Sequence, residues 1–408
     1  MIRSIYFERY KKVLIAACVL VIGSCLFNAV NQNNRWKNAY NDPNDKQFYE
    51  EHKENLSSSW DNVEMKEVPF ASYKDYRQEQ LIFYSIGSPD SFYTQEGVTF
   101  EIISKASNYS KMFPYVSNFS YMSEAFLLLF VPLIGFLLFF IDQKTGFNQF
   151  LFSLGASRKE LFKKKLLYVA LPFLLSILVG QSLYAVLIHT LIPAPYMNAT
   201  LGQLFTSVIS NFCLLSFMFA SSAFIGSMVG NIVFGPLTWA VYWWLMLNFP
   251  RSVYSVGNII YTAKQITHKQ FPKTLFVSSV GKMGGHWWMN LLFISLSSLL
   301  MFWAFKKYQT ISLENDNAYL LHKKSRWPIW GIMTLFTSFI LNTSFFDPWG
   351  YFLSRKIYEQ ADISISNPIL SNITVTLIVG LICAFIIFFR GFTKTLTRAL
   401  NKLNQRTG

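Results

Sequence analysis

The sequence predicts an all-α polytopic membrane protein. About eight transmembrane helices are expected, with a small α+β extracytoplasmic domain between the first two and both termini cytoplasmic. Three observations carry this. Hydrophobic residues make up 52% of the chain and charged residues only 14%, against about 25% charged in a soluble domain. The apolar residues gather in runs of about twenty, the length that crosses a bilayer as a helix. The net charge of +14 is also unevenly placed. Residues 31–120 hold 9 basic and 13 acidic side chains, net −4, and the remainder holds 27 basic and 9 acidic, net +18. Basic patches beside apolar spans follow the positive-inside rule of membrane proteins and give no reason to invoke nucleic acid.

Residues 1–12 place Ile2, Ile5, Tyr6 and Tyr10 on one helical face with Arg3, Arg9, Lys11 and Lys12 around it. That pattern fits an entry helix lying on the cytoplasmic membrane surface. Residues 13–30 form the first span. Ile22-Gly23-Ser24-Cys25 loosely resembles a lipoprotein cleavage box, although a first span followed by an external loop explains the same residues. The polar region 31–121 is acidic and is therefore placed outside. Helices are expected near 45–55 and 73–84, the second opened by Ser72 with Asp75 three residues on, and a strand near 98–103.

The second span, 122–141, returns the chain to the cytoplasm for a polar segment at 142–166. The third, fourth and fifth spans are 167–192, 204–229 and 232–249. The fourth carries Ser221, Ser222, Ala223, Gly226 and Ser227, small residues that let helix backbones approach closely. Residues 250–286 then hold Arg251, Lys264, Lys269, Lys273 and Lys282 with no acid. Alternation of spans puts this basic loop outside, where Lys264, Lys269, Lys273 and Lys282 would contact anionic lipid or substrate, or else the topology differs here. The sixth span is 287–305, followed by a cytoplasmic linker, 306–326. The seventh and eighth spans are 327–346 and 369–389. The tail, 390–408, repeats a basic residue at every fourth position through Arg390, Lys394, Arg398, Lys402 and Arg406. It reads as a cationic amphipathic helix on the inner membrane face.

Several kinds of chemistry find no residues here. Gly281-Lys282 is followed by Met283, so no P-loop is present, and the chain has no nucleotide site of that kind. Cys18, Cys25, Cys213 and Cys383 all lie in apolar runs without metal-site spacing. The spans hold almost no ionisable side chains of the sort that ion-coupled carriers keep at mid-membrane. No catalytic, cofactor-binding or metal-binding residue is assigned.

Residues 142–166 stand out instead. Phe147, Phe150, Leu151 and Leu154 fall at i, i+3, i+4 and i+7, one face of a helix. Gly155 stops that helix. Ser157-Arg158-Lys159-Glu160 follows as a capping box opening a new helix, which carries Lys163, Lys164 and Lys165 into the third span. Phe147, Phe150, Leu151, Leu154, Gly155, Ser157, Arg158 and Glu160 are thus candidate contacts for another protein. An amphipathic helix lying in lipid, or an ordinary basic loop, uses the same residues.

This order of parts resembles the ABC-2 type permease family, the membrane subunits of ATP-binding-cassette exporters. The resemblance covers roughly residues 1–307 and includes the run Leu154-Gly155-Ala156-Ser157-Arg158-Lys159-Glu160-Leu161 ahead of Lys165. It implies that the short helix is a coupling helix seated in a cleft of a separate ABC ATPase, present in two copies. A second permease subunit, identical or homologous, would complete the complex. ATP and magnesium would sit on the ATPase and no cofactor on this chain. The resemblance also implies export across a plasma membrane, expected to be that of a Gram-positive bacterium, and an apolar, aromatic cavity would suit a hydrophobic or amphipathic cargo: peptide, lipid or drug. The last two spans exceed the family's usual six, and Asn317 stands where some members have glycine. Two other classes remain open: a membrane-embedded sensor or immunity protein binding its ligand through 31–121, and an ion-coupled secondary carrier.

Overall fold

The computed structural model describes residues 2–54, 56–61, 66–86, 115–119, 125–263, 287–311, 319–359 and 362–407. Most of them are helical. Helix α1 is Ile2–Tyr40, α2 Asp45–His52 and α3 Tyr73–Gln80. Between α1 and the next long helix lie two antiparallel ladders: β1 (Ser57–Asp61) with β2 (Lys66–Pro69), and β3 (Tyr84–Ile86) with β4 (Tyr115–Ser117). Helix α4 is Ala125–Lys144 and α5 is Phe147–Ser153. Helix α6, Arg158–Leu191, includes a π turn at Leu166–Ala170. Helices α7 (Leu201–Met228), α8 (Phe234–Ala263) and α9 (Trp287–Gln309) follow. Then come α10 (Arg326–Ile340), α11 (Pro348–Tyr358) and α12 (Ser366–Thr407).

Seven helices among the described residues are long and apolar enough to cross a membrane: Ser4–Tyr40, Phe126–Lys144, Arg158–Leu191, Leu201–Met228, Trp288–Gln309, Lys323–Ile357 and Ser366–Phe388. The expected span missing from this set is the fifth. Its helix, α8, is long, but Trp239, Tyr242, Trp243, Trp244, Asn248 and Pro250 lower its mean hydropathy. Trp239 and Trp243 turn into the protein, where the Trp239 N–H finds a partner. Apolar side chains face outward elsewhere. On α12, Leu370, Ile373, Leu377, Leu381 and Phe385 are exposed, while Val379, Cys383 and Ile387 are buried. An exposed apolar surface of that extent needs a cover, and hydrocarbon supplies one.

Three boundaries differ from the expected ones. The entry helix and first span form one helix running ten residues past Val30 to Tyr40. Helix α8 passes through Pro250, so residues 250–263 of the expected basic loop are helical. Proline is tolerated in such helices because neighbours satisfy the carbonyl it frees. Residues 348–358, expected as loop, form α11, capped by Asp347, whose side chain accepts from the Gly350 N–H at 3.2 Å. The sequence-predicted strand at 98–103 and Lys264, Lys269, Lys273 and Lys282 lie outside the described residues.

The chain divides into two units. The first comprises Met1–Val131, Lys163–Met218 and Phe276–Leu296. In it α1 and α6 run parallel. Cys18 Sγ meets the Pro172 carbonyl at 3.9 Å, and the Tyr184 hydroxyl bonds Gln32 Oε1 at 3.0 Å, so contacts advance together along both helices. Between those points Gly180 packs on the Ile22 backbone and Cys25. Small residues of this kind bring helices close where lipid supplies no hydrophobic drive. Beyond, Ala29, Trp36, Phe83, Ala185, Ile188, Leu204 and Val208 share a core. The Asn198 side chain bonds both the Tyr84 N–H (3.1 Å) and its carbonyl (2.7 Å), as a neighbouring strand would. Trp36 Nε1 donates to the Leu81 carbonyl at 3.0 Å. Segment 81–84 is thereby fastened to the end of α1 and to the loop that follows α6.

The second unit comprises Pro132–Phe162, Phe219–Leu275 and Ser297–Gly408. Here α4 and α7 meet backbone to backbone. A Cβ on Gly226 would overlap the Phe136 carbonyl, and Ser222, Ala223 and Ser227 of the small-residue stripe are buried. Trp239 stacks on Phe136 at 5.7 Å and donates Nε1 to Ser222 Oγ at 3.2 Å. Helix α10 joins α8 through a buried Ser252–Ser344 hydroxyl pair at 2.6 Å just past its end. It holds α12 through Trp330 Nε1 to the Gly380 carbonyl at 2.9 Å. The last two apolar helices are therefore built into this unit.

Candidate docking site

The segment after α4 has the local form its residues dictate. Thr145 Oγ1 closes the helix end on the Ile141 carbonyl at 3.0 Å. Gly146, with φ of 68°, turns the chain into α5, and Gly155, with φ of 69°, turns it out again. No atom lies within 4 Å of where a Cβ would stand on Gly155, so glycine is required there by conformation and not by space. Ser157 Oγ then accepts from the Glu160 N–H at 3.2 Å and opens α6 as its cap.

What α5 does with its apolar face differs from the sequence pattern. Phe147 and Leu151 are buried, Leu151 completely, and Asn148 is buried with them. Leu154 is half-buried, whereas Phe150 is 50% exposed. At roughly 100° per residue, Phe147, Leu151, Asn148 and Phe152 fill one arc of about 140°, and Phe150 stands about 60° outside it. The inward arc thus includes an asparagine and omits a phenylalanine. Packing against the protein itself accounts for it.

The surface beneath α5 is the end of α9. The Tyr308 hydroxyl donates to Asn148 Oδ1 at 3.3 Å, and Phe152 meets the Tyr308 ring edge-on with centroids 5.9 Å apart. Phe162 stacks on Phe139 at 5.3 Å and lies 5.5 Å from Phe305 and 5.4 Å from Tyr308. Contacts of this kind add about 0.5–1.5 kcal/mol each beyond the burial they bring. Arg158 completes the joint. Its Nη1 donates to the carbonyls of Gln309 (3.1 Å) and Ile311 (2.6 Å), while the guanidinium lies 4.4 Å over the Phe152 ring. A helix ends with unsatisfied carbonyls and partial negative charge, and a cation there answers both.

Of the sequence-predicted residues, Phe147, Leu151 and Arg158 turn inward or onto α9. Phe150, Gly155, Ser157 and Glu160 face outward with Gln149, Ser153 and Lys159. Sequence reading did not find Asn148, Phe152, Phe305 or Tyr308. The only sign was the aromatic pair flanking Lys306-Lys307. Lys163 is exposed as expected of a basic run, but Lys165 is buried, its Nζ 5.9 Å from the Tyr10 ring. Among the described residues no cluster of three His, Cys, Asp or Glu could hold a metal ion. Comparison with family models, curated proteins and solved structures gives no match to this chain.

Proposed function

We propose that the chain is the transmembrane permease subunit of an ATP-driven exporter of the ABC-2 type. In this reading a separate ATPase, in two copies, docks on α5, and a second permease subunit, identical or homologous, completes the pathway. Helix α8 crosses the bilayer as an eighth span, both termini are cytoplasmic, and residues 31–121 lie outside a plasma membrane. The cargo is hydrophobic or amphipathic. One observation carries the reading: α5 is divided into a side fastened to the protein and a side left open. Asn148, Phe152 and Arg158 clamp it to α9, while Phe150 stands exposed beside Gln149 and Ser153. A loosely tethered helix would absorb a push, and one clamped through hydrogen bonds and rings transmits it.

The expected movement therefore reaches α9 through Arg158 and Tyr308, as well as α4 and α6 to which the segment is covalently joined. The test is a single substitution. Full-length protein purified from its native host should bring down a P-loop ATPase in stoichiometric amount, and Phe150→Asp should lose it by tenfold or more while Phe150→Leu keeps it. Leu151→Asp is no substitute, because a fully buried position would report folding instead. If wild-type protein brings down no ATPase, the reading fails.

A further inference from the structure

Two short basic runs, Lys306-Lys307 and His322-Lys323-Lys324-Ser325-Arg326, form the two ends of the linker and play no part in the docking joint. The second run is held in place by backbone. Residues 319–321 lie beside the turn between α7 and α8: Val229 and Leu320 form an antiparallel bridge, the Gly230 N–H donates to the Tyr319 carbonyl at 2.9 Å, and the Leu321 N–H donates to the Met228 carbonyl at 3.0 Å. The chain then turns, with the Ser325 N–H on the His322 carbonyl at 3.1 Å, and enters α10.

Every polar group gathered there is able to donate. Lys307 Nζ reaches Ser325 Oγ at 2.7 Å, which leaves the serine O–H free to point elsewhere. His322 is only 8% exposed and its Nε2 has no partner. Arg326 Nε is likewise buried without one. Ser325 precedes α10 and makes no side-chain cap bond, while the Arg326 N–H is taken by the Lys323 carbonyl, so the donors left over here are side chains. Among the described residues no carboxylate pairs with Lys307, Lys323, Lys324 or Arg326. A buried imidazole without a partner costs free energy unless something supplies an acceptor.

We propose that Lys307, His322, Ser325 and Arg326 form a binding site for a phosphate group, carried by an anionic phospholipid headgroup or free in solution. Two cationic side chains and a buried imidazole without a matching acceptor suit a tetrahedral oxyanion and no cation. The site lies where two apolar helices end, at the depth of headgroups. Burial, and then the charge of Lys307, holds His322 down to about 4, and an anion bound beside it would push the other way.

The experiment uses the full chain with 15N-labelled histidine, in nanodiscs of phosphatidylcholine or of phosphatidylcholine with phosphatidylglycerol. The His322 signal is identified by its loss in His322→Gln. A shift on adding phosphatidylglycerol, with none from inorganic phosphate in phosphatidylcholine discs, assigns the site to a lipid headgroup. A shift from inorganic phosphate in phosphatidylcholine discs assigns it to free phosphate. Lys307→Gln should weaken either response by about tenfold, the worth of one charge-assisted hydrogen bond. Lys323→Gln, exposed on the same run, should change it by less than twofold. If neither addition moves the signal, or if Lys307→Gln and Lys323→Gln weaken it equally, the site does not exist.

Discussion

Two side chains test the reading of single residues. Arg158 closes the carbonyl end of α9 with two bonds and rests on Phe152. Arg158→Leu should lower the thermal midpoint, with a loss on the order of 1–3 kcal/mol for charged hydrogen bonds left unmade. Arg158→Lys should recover only part of it, because a point charge cannot both bridge two carbonyls and stack on a ring. An unchanged midpoint for Arg158→Leu would mean the joint is ornamental. His322 sets a pH dependence. Its folded value, about 4, lies below that of the unfolded chain, near 6.5, so the unfolded state binds more protons between those limits. Stability from this group is therefore complete above about 6.5 and is lost as pH falls toward 4. In phosphatidylcholine discs, wild type should lose more of its thermal midpoint between pH 7 and 5 than His322→Gln does. Equal losses would count against a neutral buried imidazole.

Among elements, the closest contact is that of α4 with α7, where Gly226 faces the Phe136 backbone. Gly226→Ala should push the helices apart and destabilise the protein by about 1–3 kcal/mol, as overpacking does. Gly23→Ala, with nothing within 4 Å, should be neutral or slightly stabilising in the same melt. If both behave alike, the helices do not meet as described. The small-residue stripe 221–227 was legible in sequence because composition alone marks such a seam. So were the end of α5 and the start of α6, since Gly155 and Ser157 act within a few residues of themselves. The inward face of α5 was not. Its arc is set by Tyr308, more than 150 residues away, and the i, i+3, i+4, i+7 template chose Phe150 over Asn148 because it scores apolarity and cannot see a hydroxyl across the interface. The extension of α8 past Pro250 was hidden for a similar reason: proline stops a helix in water but need not where neighbouring helices supply the missing bonds.

For the whole molecule, the open quantity is parity. Among the described residues seven helices meet the length and apolarity of a span, and α8 meets the length alone. An even count returns the C-terminus to the side of the N-terminus, and an odd count does not. Tags at both ends should be equally shielded from an impermeant reagent in intact cells if α8 crosses. Shielding of one alone would show that it lies otherwise. The native cysteines give little background, since Cys25, Cys213 and Cys383 are buried and Cys18 is partly so. The apolar helices were evident from composition because the bilayer imposes it. Their partners were not, because lipid-facing and protein-facing residues are equally apolar. The inward and outward positions of α5 form separate sets, with Phe147, Asn148 and Leu151 on one side and Gln149, Phe150 and Ser153 on the other. Two glycines in left-handed conformation bracket the helix. Under the proposed docking, substitution at the outward three would retune which partner is recognised without unsettling the fold, so this seven-residue helix could vary while the membrane helices stay the same.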